Sequence, residues 1–338
     1  MTGEPLVTVT IPTYNRAHLL RESLESVLAQ TVKRLEVIVS DNASTDATAD
    51  FVASFRDSRV SYTRLERNLG HLANLSRCLG LGTAPLVMIF QDDDLMLPHN
   101  IERKLEVLEA DEGIVFVHSA FSFIDDEGHI LNEKASWWDA QTSIESPEQF
   151  VRGTLEWGLR VDLSSPLIRR RFVQGERFEE EEGLAADHGF YLRLGRKGKV
   201  AYLDEPLTAS RRHAGSLSVA QEAHLLEGGY YAPSFAYCGG CRSVNTRFLN
   251  RYGAEFRDVK ELRWIARRWA RQELGSVVRA NTGNEPRFRT TIRYIRRAVK
   301  VDPMVLTTRR LILVLGWTLI GRRGRQLSRR VLHIEHRS

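Results

Sequence analysis

LVMIFQDDD, residues Leu86–Asp94, sets an unbroken apolar run directly against a polar and acidic one. A short apolar run of this kind, Leu86–Phe90, predicts a strand buried on both faces, as in a parallel sheet covered by helices. The sequence on either side supports such a sheet. Upstream, Leu6–Ile11 (LVTVTI), Leu35–Val39 (LEVIV) and Val60–Arg64 are short and β-branched, which predicts three more strands. Between them, Ala17–Gln30 carries Leu20, Leu24, Val27 and Leu28 at helical spacing. Asp46–Phe55 and Leu72–Leu81 are predicted as helices too, the former with Ser44 or Thr45 as its N-cap. Downstream, Pro98 is suited to open a helix running to Ala110, and Ile114–His118 is a fifth strand. The alternation β-α-β-α-β-α-β-α-β implies an α/β fold with a mostly parallel, Rossmann-like sheet, right-handed crossovers and helices on both faces. Beyond Ser119 it breaks. Asp125-Asp126-Glu127-Gly128 suggests a hairpin turn, Val200–Leu203 another strand, and Asp258 to about Arg279 a helix with Val259, Leu262, Ile265 and Trp269 on one face.

Ligands of open α/β sheets sit in the crevice outside the carboxyl ends of the strands. Here those ends carry Pro12-Thr13-Tyr14-Asn15-Arg16, Ser40-Asp41-Asn42-Ala43-Ser44, Glu66-Arg67-Asn68-Leu69-Gly70 and Gln91-Asp92-Asp93-Asp94. All are polar, which a purely structural sheet does not require. Asp92, Asp93 and Asp94 at a buried strand end repel one another, and a divalent cation is the usual agent that offsets such repulsion. Mg²⁺ and Mn²⁺ prefer carboxylate oxygen and typically complete their shell with substrate phosphates. An Asp triplet alone is more often a solvated loop; its position directly after LVMIF favours the cation. A diphosphate bound there would supply the missing ligands, and the metal would neutralise the charge growing on it as it leaves. Gly-rich phosphate loops are absent. Gly80-Leu81-Gly82 follows a helix and precedes a strand, the wrong order for a dinucleotide fingerprint, and there is no G-x-x-x-x-G-K-[ST]. Dehydrogenases and P-loop nucleotidases are thereby disfavoured.

The blocks TVTIPTYNR (Thr8–Arg16), EVIVSDNASTD (Glu36–Asp46), RNLG (Arg67–Gly70) and IFQDDDLMLP (Ile89–Pro98), in this order and spacing, resemble the inverting family 2 glycosyltransferases of GT-A fold. The resemblance covers roughly Val7 to Ser218. It implies transfer of a sugar from a nucleotide diphosphate donor, UDP being the commonest, to an acceptor hydroxyl. It implies that Pro12, Thr13 and Tyr14 contact the nucleotide with Arg16 beside them, and that Asp41 holds the base with Asn42 next to it. Asn68, Gly70 and Asn74 match a further block. The family's acidic region is often D-x-D-D, whereas Gln91 stands first here. We assign metal binding to Asp93, with Asp94 beside it, and ribose or supporting duty to Asp92; Gln91 can hydrogen-bond a sugar but adds no charge. The attacking hydroxyl must lose a proton opposite the leaving diphosphate. The family takes its base from an E-D block, which here is Ala186-Asp187, so Asp187 is the expected base. Arg211-Arg212-His213-Ala214-Gly215-Ser216 resembles a basic R-x-H-x-x-S segment, placing Arg212 and His213 near the diphosphate. The Glu179–Glu182 run is expected as a solvated loop. The resemblance leaves two other readings open: a nucleotidyltransferase on a similar sheet, and a degenerate donor-binding protein without turnover.

The chain has 338 residues, 42% hydrophobic and 27% charged, as ordinary globular proteins do. With no signal peptide in view and no apolar run of about 20 residues, the expected address is cytoplasmic. Its three cysteines lack the spacing of a zinc site: Cys78 is expected in the core, and the Cys238-Gly239-Gly240-Cys241 run as a turn. The net charge of +5 is unevenly placed. From Arg257 onward there are 21 Lys and Arg against 6 Asp and Glu, and before it 27 against 37. We expect a catalytic unit over 1–218 and a basic, mainly helical region over 219–338. Leu311–Ile320 (LILVLGWTLI), flanked by Arg309-Arg310 and Arg322-Arg323, is too short to span a bilayer. Two readings fit it: attachment to the anionic inner membrane face, near a lipid-linked acceptor, or a core helix with solvated arginines. Either way the acceptor is expected to be a saccharide or a lipid-linked one, in envelope polysaccharide or glycolipid assembly. No nucleic-acid-binding motif is present, so no nucleic-acid partner is expected.

Overall fold

The computed structural model describes residues 3–135, 141–213 and 235–265. The first half follows the predicted alternation: β1 (Val7–Thr13), α1 (Ala17–Leu28), β2 (Leu35–Asp41), α2 (Thr48–Ser54), β3 (Val60–Arg64), α3 (His71–Leu79) and β4 (Leu86–Ile89). Then come β5 (Leu95–Met96), α4 (Asn100–Ala110), β6 (Ile114–Ile124), β7 (Ile130–Ala135), β8 (Ser143–Glu145), α5 (Pro147–Trp157), β9 (Leu167–Arg169), α6 (Arg170–Val173), α7 (Ala186–Gly195), β10 (Lys199–Arg211) and α8 (Phe235–Tyr252). One sheet runs in the order β3-β2-β1-β4-β9-β6-β10-β5, with β7 paired on β6 and β8 on β10. β3, β2, β1 and β4 are mutually parallel, as are β6 and β10. β9 is the departure: it lies antiparallel between β4 and β6, so the expected fifth strand is not the neighbour of the fourth. Three residues (Leu167–Arg169) suffice because both flanking strands offer free edges and Leu167 and Ile168 are buried there.

The core has two sheet-facing clusters. One holds Val7, Val9, Ile11, Leu24, Val37, Met88 and Leu105; the other holds Leu75, Val87, Phe116, Phe150, Phe190 and Leu194. Cys78 is in the second, as expected. A third cluster joins Val151 and Leu155 of α5, Leu192 of α7, and Val244, Phe248 and Leu249 of α8. Within the expected 219–338 region, the described residues from α8 onward thus pack on α5 and α7. The expected boundary at 218, the 309–323 segment and the far end of the 258–279 helix lie outside the described residues; residues 259–265 are helical, with Leu262 and Ile265 buried. Among the described residues no helix is long and apolar enough to cross a membrane.

Several local expectations are corrected. α2 begins two residues later than expected: the Asp46 carboxylate, not Ser44 or Thr45, accepts from the Thr48 N–H at 3.0 Å. The expected fifth strand runs on to Ile124, because Phe121 and Ile124 continue the buried face and pair with β7 across the predicted hairpin turn. Cys238-Gly239-Gly240-Cys241 lies within α8 rather than in a turn. Glu182 is not solvated: it is buried and bonds the Arg193 guanidinium at 2.7 Å.

Candidate active site

A cavity of about 700 Å³ opens at the carboxyl ends of β1, β2 and β4. Its walls come from four places: the end of β1 and the turn after it, with Pro12, Thr13, Tyr14 and Arg16; Asn42, Asn68 and Gly70; Gln91–Asp94; and, across the opening, Asp187, Arg211 and Arg212. Segments more than a hundred residues apart thus meet where the sheet topology predicts a ligand.

The loops at the strand ends are fixed to one another. Asn15 sits at φ 55°, a left-handed conformation that Asn tolerates. Its carbonyl Oδ1 accepts from Thr45 N at 2.7 Å, and its N–H donates to Ser44 Oγ at 2.9 Å. Asn42 donates through Nδ2 to Asn68 Oδ1 at 3.0 Å and to the Gly70 carbonyl at 3.1 Å, and accepts from Leu69 N at 2.9 Å. Gly70 itself has φ +91°, which a side chain would strain. Asn74 is buried and joins Ser40 through two hydrogen bonds, of 2.7 and 2.8 Å. Asn42, Asn68 and Gly70 are therefore one clamped unit. Asp41 is placed differently from the residues around it. It is buried, outside the cavity lining, with one oxygen taken by Ser44 N (2.8 Å) and Ser44 Oγ (2.6 Å) and the other by the Tyr62 hydroxyl.

The acidic triplet divides by direction. Asp94 is buried; its Oδ2 accepts from the Ser164 hydroxyl and its Oδ1 from Arg211 N at 2.9 Å. Burial and the Asp93 charge push its carboxyl well above the ordinary range. Asp92 is pushed up to about 6, by burial first and by Asp93 second, against the pull of Arg16. Arg16 Nη1 lies 3.1 Å from Asp92 Oδ1 and 2.8 Å from Asp93 Oδ2. His213 Nε2 lies 3.0 Å from the same Asp93 oxygen, and Arg211 Nε donates to the Asp93 carbonyl at 2.9 Å. The adjacent carboxylate oxygens of Asp92 and Asp93 already hold one cationic group, and both residues line the cavity, so this hard-oxygen pair fits Mg²⁺ or Mn²⁺. Asp94, set beside Asp93 as a metal residue from the sequence, lines the cavity as well, but its two oxygens are engaged by Ser164 and Arg211, where they brace the turn. A separate group within ligand reach of one another, Asp125, Glu127 and His129, sits on the exposed turn between β6 and β7.

Asp187 stands in the first turn of α7 and lines the cavity. Ala186 beside it is buried, where the family block often has Glu. Arg212 also lines the cavity, its guanidinium 4.2 Å from the Phe123 ring centroid.

Asp162 was missed from the sequence, where it is a lone acid in an irregular stretch. It lines the same cavity and is pushed up to about 6, chiefly by burial, with contributions from the charges of Asp187 and Asp93. Its segment is bolted beneath the triplet. Ser164 N donates to Asp162 Oδ1 at 3.0 Å, Gln91 N donates to Ser164 Oγ at 3.0 Å, and the buried Lys104 ammonium donates to Asn100 Oδ1 at 2.6 Å and to the Ser165 carbonyl. Burial pushes Lys104 down to about 7. No short motif could have announced the Gln91–Ser164 and Lys104–Ser165 contacts, whose partners lie 73 and 61 residues apart in sequence.

Known proteins agree with this picture. The family model described as Glycosyl transferase family 2 matches residues 8–171. An uncharacterized glycosyltransferase of Methanocaldococcus jannaschii is 33% identical over 204 residues, covering 57% of this chain and 67% of that protein. Among solved structures, TarS of S. aureus in complex with UDP-GlcNAc superposes with a TM-score of 0.55 at 16% identity, over 88% of this chain and 90% of that one. The mannosyltransferase PcManGT of Pyrobaculum calidifontis, in complex with GDP-Man and Mn²⁺, gives 0.51 at 17%, over 94% and 87%. These likenesses carry the GT-A fold, with its mostly parallel sheet. The sequence match, the sheet topology and the cavity at the strand ends place this chain in glycosyl transferase family 2.

Proposed function

We propose that the protein is an inverting glycosyltransferase that uses a divalent cation to hold a nucleoside diphosphate sugar and Asp187 to deprotonate the acceptor hydroxyl. One observation carries this reading: Asp92 and Asp93 on one side and Asp187 on another face a single cavity. A leaving-group site and a base then share one space, as in-line displacement at an anomeric carbon requires. The nucleotide lies along Pro12, Thr13, Tyr14 and Asn42, whose loops are cross-bonded before any ligand arrives. Asp41 acts there by fixing the β2 turn through Ser44. Gln91 and Asp92 face the ribose and sugar, and Asp162 offers a carboxylate to sugar hydroxyls. Arg212 meets the diphosphate with positive charge as negative charge grows on it, and His213 stands beside it as a ring hydrogen-bonding group.

Asp93, with Asp92, would hold Mg²⁺ or Mn²⁺; when bound, the ion supplies Lewis-acid neutralisation of the departing diphosphate. The Mn²⁺ and GDP-Man bound by PcManGT and the UDP-GlcNAc bound by TarS support a nucleotide sugar and a metal as partners. Hexosyl transfer to a saccharide or lipid-linked acceptor of the cell envelope is the further part of the proposal, as is peripheral membrane attachment through the 309–323 segment. Flotation with anionic vesicles tests the attachment, and failure to bind at physiological salt refutes it.

The donor is tested by a thermal-shift panel of UDP, GDP and other nucleoside diphosphates with and without Mn²⁺. A ligand at about 100 times its dissociation constant adds about 2.7 kcal/mol to stability. We expect one base to stabilise the protein, chiefly with metal present. No shift with any of them contradicts the reading.

A further inference from the structure

The electrostatics of Asp92 and Asp93 differ from those expected of the sequence alone, where only an added cation offset the repulsion. In the structure a side chain of the protein already does so. The Arg16 guanidinium bridges Asp92 Oδ1 and Asp93 Oδ2 at 3.1 and 2.8 Å. It reaches them from the position just before α1, where the Arg16 carbonyl accepts from Leu19 N and Leu20 N, both at 3.0 Å. The backbone of Arg16 is thus pinned by the helix, while its side chain, 25% exposed, faces the cavity.

A divalent ion that takes the Asp93 oxygen must displace that guanidinium and move the His213 ring, whose Nε2 lies 3.0 Å from the same oxygen; of the two, Arg16 is the one that also holds Asp92. Arg is well matched to phosphate oxygens, which it can bind in bidentate fashion. We propose that Arg16 is a resident counter-cation: it bridges Asp92 and Asp93 while no divalent ion is bound, and transfers to the donor's diphosphate when one enters. This rests on the proposed donor site and adds to it a coupling between metal and donor. The ion alone binds weakly because it must expel a bonded guanidinium. With a diphosphate present the guanidinium has somewhere to go, so each ligand tightens the other by the same factor.

The test is titration of MnCl₂ alone into the full chain, with free Mn²⁺ read by electron paramagnetic resonance, for the unaltered protein and for Arg16→Met. Loss of the bridge should tighten Mn²⁺ binding by about ten- to a hundredfold, the range of a charge-assisted hydrogen-bonded pair. Unchanged or weaker binding in a variant with unaltered circular dichroism overturns the proposal. Should Arg16→Met fail to fold, Arg16→Gln, which removes the charge and keeps a polar side chain, carries the same expectation, since both bridging contacts come from the one charged nitrogen Nη1. A second measurement uses the unaltered protein: saturating UDP or GDP should tighten Mn²⁺ about tenfold or more, and equal affinity with and without a diphosphate that binds refutes the coupling. If neither diphosphate binds at all, the donor reading fails instead, and the Mn²⁺-only comparison still decides the bridge.

Discussion

Replacing Ser164 by Ala removes one hydroxyl that serves two partners. Ser164 is fully buried; it donates to the Asp94 carboxyl and accepts from the Gln91 N–H at 3.0 Å. The bond to the carboxyl is worth about 1–2 kcal/mol, and a buried N–H left unpaired costs about 1–3 kcal/mol. Because one oxygen makes both bonds, we expect a loss of about 3 kcal/mol rather than the full sum. At about 2.1 cal/mol/K of unfolding entropy per residue, that lowers the melting temperature of this 338-residue chain by about 4 °C. Urea denaturation measures the loss, and a cycle with Asp94→Ala isolates the shared part. Two residues joined by a buried bond should show a coupling of at least about 1 kcal/mol. Donor affinity should fall as well, since Ser164 ties the segment carrying Asp162 to the turn carrying Asp92–Asp94. A loss below 1 kcal/mol, or strict additivity with Asp94→Ala, would refute the view that this hydroxyl braces the acidic turn.

Two further predictions concern stability. Gly82 has φ +75°, and a Cβ there would lie 2.4 Å from Thr8 Cγ2 and 2.8 Å from a Glu36 carboxylate oxygen, so Gly82→Ala should cost about 2 kcal/mol or more in chemical denaturation. Lys104, pushed down to about 7 by burial, binds fewer protons in the folded state than in the unfolded one between that value and its ordinary 10.5. Its contribution to stability therefore rises with pH across that window, by up to about 1.4 kcal/mol per pH unit, and is smallest below pH 7. Denaturation at pH 7, 8 and 9 should show this slope in the unaltered protein and its loss in Lys104→Met; parallel curves would contradict it.

How much of this was legible depends on whether the cause was local. β1 to β4 and their helices follow from β-branched runs and from apolar spacing such as Leu20, Leu24 and Val27, all settled within a dozen residues. The polar strand ends, read through the topology rule, located the cavity and gathered Thr13, Asn42, Asn68 and Asp92 around it. β9 was illegible because Leu167–Arg169 is a strand only through pairing with β4 and β6, laid down about 80 and 50 residues earlier. Asp162 was missed for the same reason. The engagement of Asp41 was in principle legible: an Asp three residues before a Ser commonly accepts from that residue's N–H, as it does here with Ser44. The role of Arg16 was half visible. Its proximity to the strand ends followed from sequence, but its capture of two carboxylates needed the side-chain geometry.

Asp187→Asn, assayed for sugar transfer alongside donor binding, bears most directly on whether this cavity performs glycosyl transfer with Asp187 as its base. The substitution keeps the size of the side chain and removes its ability to accept a proton. Transfer should fall by about a hundred- to ten-thousandfold, the span of general-base catalysis, while the donor dissociation constant stays within about threefold. Undiminished transfer by the variant would contradict the assignment.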